Sequence, residues 1–231
     1  MVGLRWRTIG VIAALLFIGT GPPVWAAIQS NFTTDAEGWT TVRSSMTHVD
    51  TGGHPGGYLV FQDTVDGLSG FAASNQYHGD LRAYNRGTVS FDMMTLDNYT
   101  PNYPETGWVL FYDLDPTIPV SYIRDLVPTG EPSPQNVWHS FSATLNWDQM
   151  TPDAAHPAPP SEAAWLDFLA DVDNVVVFLD WNVVADERAG FDSFRLTEGP
   201  SAVPEPSSWA LLACNGLFVV VVGLLRRKRR A

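Results

Sequence analysis

Short strand-like runs separated by turn residues fill the middle of this 231-residue chain and constrain its fold more than any other feature. In Gly87–Met94, the apolar residues Val89, Phe91 and Met93 are separated by polar ones, which is the two-residue period of a strand with one buried face. The other runs are Gly56–Asp63, Gly107–Asp115, Trp138–Trp147, Asn174–Trp181 and Gly190–Leu196. Many short strands with Gly, Pro, Asn and Asp between them predict a mainly β fold, a β-sandwich.

Two of these runs differ from the rest, because Gly107–Asp115 and Asn174–Trp181 are apolar on both faces. This pattern predicts strands in the centre of a sheet, covered on both sides.

A single short helix interrupts the strand pattern. Ser161 can cap a segment in which Trp165, Phe168, Leu169 and Val172 follow the i, i+3, i+4, i+7 spacing of one apolar helical stripe. We therefore expect this stripe to lie buried against the sandwich.

The first 26 residues have the composition of a secretory signal peptide. Arg5 and Arg7 precede a short apolar stretch, Ile9–Ile18, which is followed by helix breakers and small residues. The stretch is shorter than the roughly 20 apolar residues of a membrane span. We predict a signal helix over residues 1–26 with cleavage between Ala26 and Ala27; the alternative is an uncleaved anchor.

The C-terminal end has three parts in a fixed order. Residues 200–208 form a linker that contains Pro204, Glu205 and Pro206, residues 209–225 form an apolar stretch, and residues 226–231 form a basic tail. The apolar stretch gives about 25 Å of helix against a hydrocarbon core of about 30 Å, which predicts a marginal transmembrane helix. The tail carries five cations, which predict a cytoplasmic C-terminus: Arg226, Arg227, Lys228, Arg229 and Arg230.

This order of motif, helix and basic end resembles the PEP-CTERM sorting signal of Gram-negative bacteria that produce exopolysaccharide. The resemblance implies secretion machinery and an exosortase as partners. It also implies an inner-membrane intermediate that is processed near Pro204–Pro206 and then moves to the cell surface or matrix. A protein retained in the membrane by its helix is the alternative.

The middle of the chain, residues 28–199, is one domain in length and strongly acidic. It holds six arginines against 24 carboxylates, a net charge of −18, which excludes nucleic acid as a partner and favours divalent cations. The one cysteine, Cys214, lies in the C-terminal apolar stretch, so the exported domain has no disulfide and depends on burial for its stability.

The sequence shows no catalytic constellation, and we predict that the protein is not an enzyme. The five histidines have neither zinc-site spacing nor a neighbouring cysteine, and no nucleophile elbow is present. Asp113 and Asp115 at a strand end are a candidate acid pair, although such residues before Pro116 more often solvate a turn.

Aromatic residues near turns and strand ends are candidates for stacking on sugars. They are Trp39, Tyr99, Tyr103, Trp108, Tyr112 and Trp147. The alternative for each is a place in the core, since a disulfide-free sandwich needs large apolar side chains there.

The order of motifs in the middle resembles the laminin IV module, also called laminin B. The motifs are "PGGYL", "SNQYHGDLRAYNRGTVSFDM", "GWVLFYD", "SEAAWLDFLADVDNVVVFLDW" and "GFDSFRL". The resemblance covers about Phe32–Leu196 and implies an antiparallel jelly-roll-like sandwich. The chain departs from animal laminins because it lacks their cysteine-rich repeats, so their matrix partners do not carry over.

A jelly-roll domain of this kind implies a structural calcium where the first and last strands meet. Asp35 or Glu37 together with Asp192 are the candidate ligands; the alternative is that these acids only face water.

The function these features predict is adhesion or binding of an extracellular polymer such as a polysaccharide. The alternatives are a carbohydrate-active enzyme that acts on extracellular polysaccharide, and a structural matrix component without a specific ligand.

Overall fold

The structure is a computed structural model that describes residues 27–200 except 66, 98–99, 103, 114–119, 129, 133, 153–159 and 183–185. The strands in this part of the chain are β1 (Ala27–Ser30), β2 (Thr40–Val42), β3 (Ser44–Gly53), β4 (Gly56–Asp63), β5 (Gly70–Ala72), β6 (Thr88–Thr95), β7 (Trp108–Asp113), β8 (Val120–Asp125), β9 (His139–Thr144), β10 (Thr151–Pro152), β11 (Asn174–Phe178) and β12 (Arg188–Thr197). One α-helix, α1, spans Glu162–Phe168, and short 3₁₀ turns span Asn75–Tyr77, Arg82–Tyr84 and Trp147–Gln149.

The strands form two antiparallel sheets of six strands each. The first sheet has the order β3-β4-β12-β6-β9, with β1 also paired to β12. The second sheet has the order β10-β8-β7-β11-β5-β2. Apart from the consecutive pairs β3-β4 and β7-β8, strands that are neighbours in these sheets lie far apart in sequence, as in a jelly-roll-like sandwich. The predicted fold class is therefore confirmed.

The core lies between the two sheets and is rich in aromatic rings. Val89, Phe91 and Met93 of β6 all point into it, as their alternation predicts. Phe191 of β12 lies at the centre of an aromatic cluster and packs against Trp39, with ring centroids 5.2 Å apart. Such close packing of rings stabilises a domain that has no disulfide.

The helix was predicted correctly from its cap and its apolar stripe. Ser161 is the N-cap, and its hydroxyl accepts a hydrogen bond from Ala164 N at 3.2 Å. Trp165 and Phe168 are buried against Tyr122 of β8, on the core side of the second sheet. The helix is shorter than the predicted stripe: it ends at Phe168, so Leu169 and Val172 lie beyond it, although both are buried and Val172 bridges Gly79.

The six predicted strand runs coincide with β4, β6, β7, β9, β11 and β12, and the remaining strands were not predicted. β3 consists mostly of polar residues and glycine, and β5 has only three residues, so neither shows a clear hydrophobic period.

Among the described residues, no helix is long and apolar enough to cross a membrane. The predicted signal helix (1–26) and transmembrane helix (209–225) lie outside them.

Candidate functional site

The outer face of the second sheet carries a second apolar cluster, separate from the core. Ala72 of β5 and Val176 and Phe178 of β11 are buried on this face. Partly buried apolar side chains pack over them and keep some of their surface in contact with solvent: Val42, Leu68, Trp108, Leu110 and Tyr112. We call this surface the platform.

Strand register arranges the platform in rows that run across the strands. Val176 pairs with Leu110 on one side and with Ala72 on the other, which makes an apolar central row. Residues that face each other across antiparallel strands lie on the same face of the sheet. Trp108 lies on one side of this row, next to Phe178 of β11 and paired with the exposed Asp125 of β8; we call this the aromatic side of the platform.

The other side of the central row is polar. Tyr112 pairs with Asn174, whose side-chain amide donates a hydrogen bond to the Tyr112 hydroxyl at 3.1 Å. Ser74 extends this row toward β2. Its Cβ lies close to Gly38, just before β2: a Cβ added to Gly38 would be 3.3 Å from it. Apolar and hydrogen-bonding side chains thus form parallel rows on one surface.

A cavity of about 430 Å³ lies at the β2 end of the polar row. Its lining residues are Glu37, Gly38, Ser74, Asn75 and Gln76. Asn75 and Gln76 are exposed, and Gln76 Nε2 donates a hydrogen bond to the Ser30 hydroxyl at 3.0 Å, so the Asn75 amide and the side-chain oxygen of Gln76 can bond a ligand at the platform's edge. Strands lie about 4.8 Å apart, so the rows from β8 to β2 extend about 19 Å, the shape of a site for an extended chain.

The six aromatic candidates divide into three groups. Trp108 and Tyr112 lie on the platform, as a sugar-stacking role requires. Trp39 was wrong as a stacking candidate: it is 2% exposed, because it fills the core between Phe32 and Phe194. Trp147 is partly buried against the core, and Tyr99 and Tyr103 lie outside the described residues.

Sequence reasoning missed most of the platform, including Leu68, Asn174 and Phe178. The available signal was that β7 and β11 are apolar on both faces. A central strand of this kind must have something cover its second face, and here the described chain covers that face only in part.

The candidate calcium ligands contact different parts of the backbone. Glu37 accepts hydrogen bonds from the N–H groups of Asn31 and Phe32. The carboxylate of the buried Asp192 accepts from the N–H groups of His54 and Ser193. In the part of the chain that the structure describes, no group of three or more His, Cys, Asp or Glu side chains is placed to hold a metal ion.

Asp113 ends β7 and is partly buried, whereas Asp115, the other member of the candidate acid pair, lies outside the described residues. A different carboxyl pair, Asp180 and Glu187, is enclosed in the protein and out of reach of any polymer. The sorting-signal residues Pro204–Pro206, the basic cluster 226–230 and Ala26 of the cleavage site also lie outside the described residues. Ala27 begins β1.

No family model matches this sequence, and no curated protein sequence matches it. Solved structures with a similar architecture include the L4b domain of human laminin alpha-2, at 11% identity and a TM-score of 0.49, covering 69% of this chain and 97% of that domain. A family 22 xylan-binding domain from Paenibacillus barcinonensis has 10% identity and a TM-score of 0.49, with 75% and 95% covered. A family 11 carbohydrate-binding module from Clostridium thermocellum has 16% identity and a TM-score of 0.43, with 78% and 91% covered.

Proposed function

We propose that this chain is an exported, non-enzymatic module that binds an extracellular polysaccharide on the platform. The observation that supports this most strongly is the parallel arrangement of the Trp108–Phe178 side, the apolar central row and the Tyr112–Asn174 polar row. Sites for organic ligands combine apolar and aromatic surface with a few placed polar groups in this way.

A polysaccharide fits this surface better than other extended ligands. A sugar ring has an apolar C–H face, which can lie on Trp108 and Leu110, and a rim of hydroxyl groups, which can bond Asn174, Asn75 and Gln76. The acidic surroundings, which include Asp125 and Glu37, disfavour polyanionic chains. The platform therefore suits an uncharged polysaccharide.

An array of extracellular polysaccharides probed with the purified protein tests the proposal. We expect the protein to bind one class of uncharged polymer without releasing reducing ends. Release of reducing ends would favour a carbohydrate-active enzyme. Neither binding nor release would favour a structural matrix component without a ligand.

For its route to that polymer, we propose that the chain is exported by its N-terminal signal and sorted by its C-terminal one. Pro204 and Pro206 should keep the chain extended next to the apolar stretch, which would suit recognition by a membrane protease such as an exosortase. The basic residues 226–230 would hold the C-terminus in the cytoplasm until processing.

Mass spectrometry of the surface-exposed protein tests the sorting proposal. We expect the mature C-terminus to lie near Pro204–Pro206, with residues 209–231 removed. Intact peptides that reach Leu225 in the surface-exposed form would show instead that the helix is a permanent anchor.

The structural calcium implied by the laminin IV resemblance stays a prediction. If Asp192 with Asp35 or Glu37 binds calcium, then millimolar calcium should raise the melting temperature, because a ligand that binds only the folded state stabilises it. Melting curves in calcium, magnesium and EGTA measure this effect. Identical melting curves in all three conditions would show that calcium does not stabilise the folded protein.

A further inference from the structure

Two carboxyl groups face each other inside the protein at one end of the sandwich. Asp180 follows β11 and is 2% exposed, and Glu187 precedes β12 and is fully buried. Glu187 Oε1 accepts hydrogen bonds from Trp181 N and Asn182 N, each at 3.3 Å. Glu187 Oε2 and Asp180 Oδ1 receive none from the described residues, although the two carboxyl groups lie within hydrogen-bonding range of each other.

Such a pair cannot be ionised twice at a tolerable free-energy cost. Two negative charges in an enclosed site repel each other and lack water, so a proton between them forms an O–H···O⁻ hydrogen bond instead. Burial, followed by the hydrogen bond and charge of Glu187, raises the pKa of Asp180 to about 9. Burial also raises the pKa of Glu187.

Among the described residues, the other ionisable groups around the pair do not supply a compensating positive charge. Asp63, at the end of β4, adds a nearby negative charge that raises both pKa values. Its own carboxylate accepts a hydrogen bond from Ser69 at 2.9 Å. The remaining charged groups on the surrounding elements are Glu105 before β7, Asp186 next to Glu187, and Asp97 and Arg188, which form an ion pair at 2.8 Å.

The acid pair lies in a segment that is bonded to the chain leading into β7. Thr106 Oγ1 donates to the carbonyl of Asp180 at 3.0 Å, and Gly107 N donates to the carbonyl of Phe178 at 2.8 Å. Asn102 N also donates to the carbonyl of Trp181 at 3.0 Å. These bonds join the segment after β11 to the residues immediately before Trp108.

We propose that Asp180 and Glu187 share one proton at neutral pH and that the protonated pair positions Trp108 and Phe178 at the aromatic side of the platform. Asp180 and Glu187 are positioning residues, because they are enclosed and do not touch a ligand. The part of the proposal that concerns polysaccharide binding rests on the proposed function, whereas the shared proton does not.

The shared proton should make the folded protein less stable as the pH rises. The pKa of Asp180 is higher in the folded protein than in the unfolded chain, so the stabilisation is complete below about pH 4 and is lost as the pH rises through about 9. We therefore expect the melting temperature to fall by roughly 5–10 °C between pH 7 and pH 10. Asp192, whose pKa burial raises to about 6, titrates below this window.

Asp180→Asn in the full-length protein separates this proton from all others. The amide keeps a donor for Glu187 and cannot ionise. We therefore expect the melting temperature of the variant to fall much less between pH 7 and pH 10 than that of the wild type, and to be higher than that of the wild type at pH 10. Asp171→Asn, which removes the same charge from an exposed position, should keep the wild-type slope. A wild-type slope in Asp180→Asn, or an equal loss of melting temperature in that variant at every pH, would overturn the shared proton.

Two further measurements complete the test. A calcium-dependent rise in melting temperature at pH 8 that Asp180→Asn abolishes would show a metal ion in place of the proton and overturn the proposal.

With a polysaccharide that binds, we expect the Kd of the wild type to increase between pH 7 and pH 10 and the Kd of Asp180→Asn to stay constant. Equal pH profiles of Kd would overturn the positioning role. If no polysaccharide binds at all, the proposed function and the positioning role fail together, whereas the melting profiles still decide the shared proton.

Discussion

Phe168→Ala is expected to lower the free energy of unfolding by about 3–5 kcal/mol, because it leaves a cavity beneath the helix. Phe168 is 8% exposed, stacks on Trp165 with centroids 5.5 Å apart, and meets the Tyr122 ring edge-to-face at 4.8 Å. The neighbouring rings belong to α1 and β8, so the cavity would lie where the helix joins the second sheet.

Equilibrium denaturation of the purified protein measures this loss. Asp167→Ala is a matched control in the same helical turn, since Asp167 is exposed and should change the free energy of unfolding by no more than about 0.5 kcal/mol. An unchanged denaturation midpoint in Phe168→Ala would mean that the apolar stripe of the helix is not part of the core.

The helix and the core strands could be predicted because their information is local. The cap at Ser161 and the spacing of Trp165 and Phe168 determine which side of the helix is buried, and both lie within one short segment. The same holds for β6, where the alternation of Val89 and Phe91 already shows which face meets the core.

The platform could not be predicted in the same way, because it depends on strand pairing. Leu110, Val176 and Ala72 become neighbours only through the β7-β11-β5 register, across a long sequence separation. The Trp39 error has a similar origin. A tryptophan next to a glycine turn looks exposed in sequence, and only the packing of Phe191 and Phe194 against it shows that it is core.

Trp108→Ala is expected to weaken polysaccharide binding about 30-fold or more, the effect of removing a central aromatic anchor from a binding site. Trp108 lies at the aromatic side of the platform and is only partly buried, so its ring has surface available for a sugar. Because the core cluster does not include Trp108, the fold should survive the change. A melting curve of the variant checks this point.

Trp138 supplies the matched control on the opposite side of the protein. It is also partly buried, and it packs edge-to-face on Tyr58 over the outer face of the first sheet, with ring centroids 5.3 Å apart. Trp138→Ala removes a side chain of the same size without touching the platform, so its polysaccharide affinity should equal that of the wild type.

The most direct test is therefore the Kd of the wild type, Trp108→Ala and Trp138→Ala for the polysaccharide that the array identifies, measured by titration calorimetry on folded protein. We predict a loss of affinity of about 30-fold or more for Trp108→Ala and no loss for Trp138→Ala. Equal affinity of Trp108→Ala and the wild type, or a loss confined to Trp138→Ala, would contradict the assignment of the platform as the binding site.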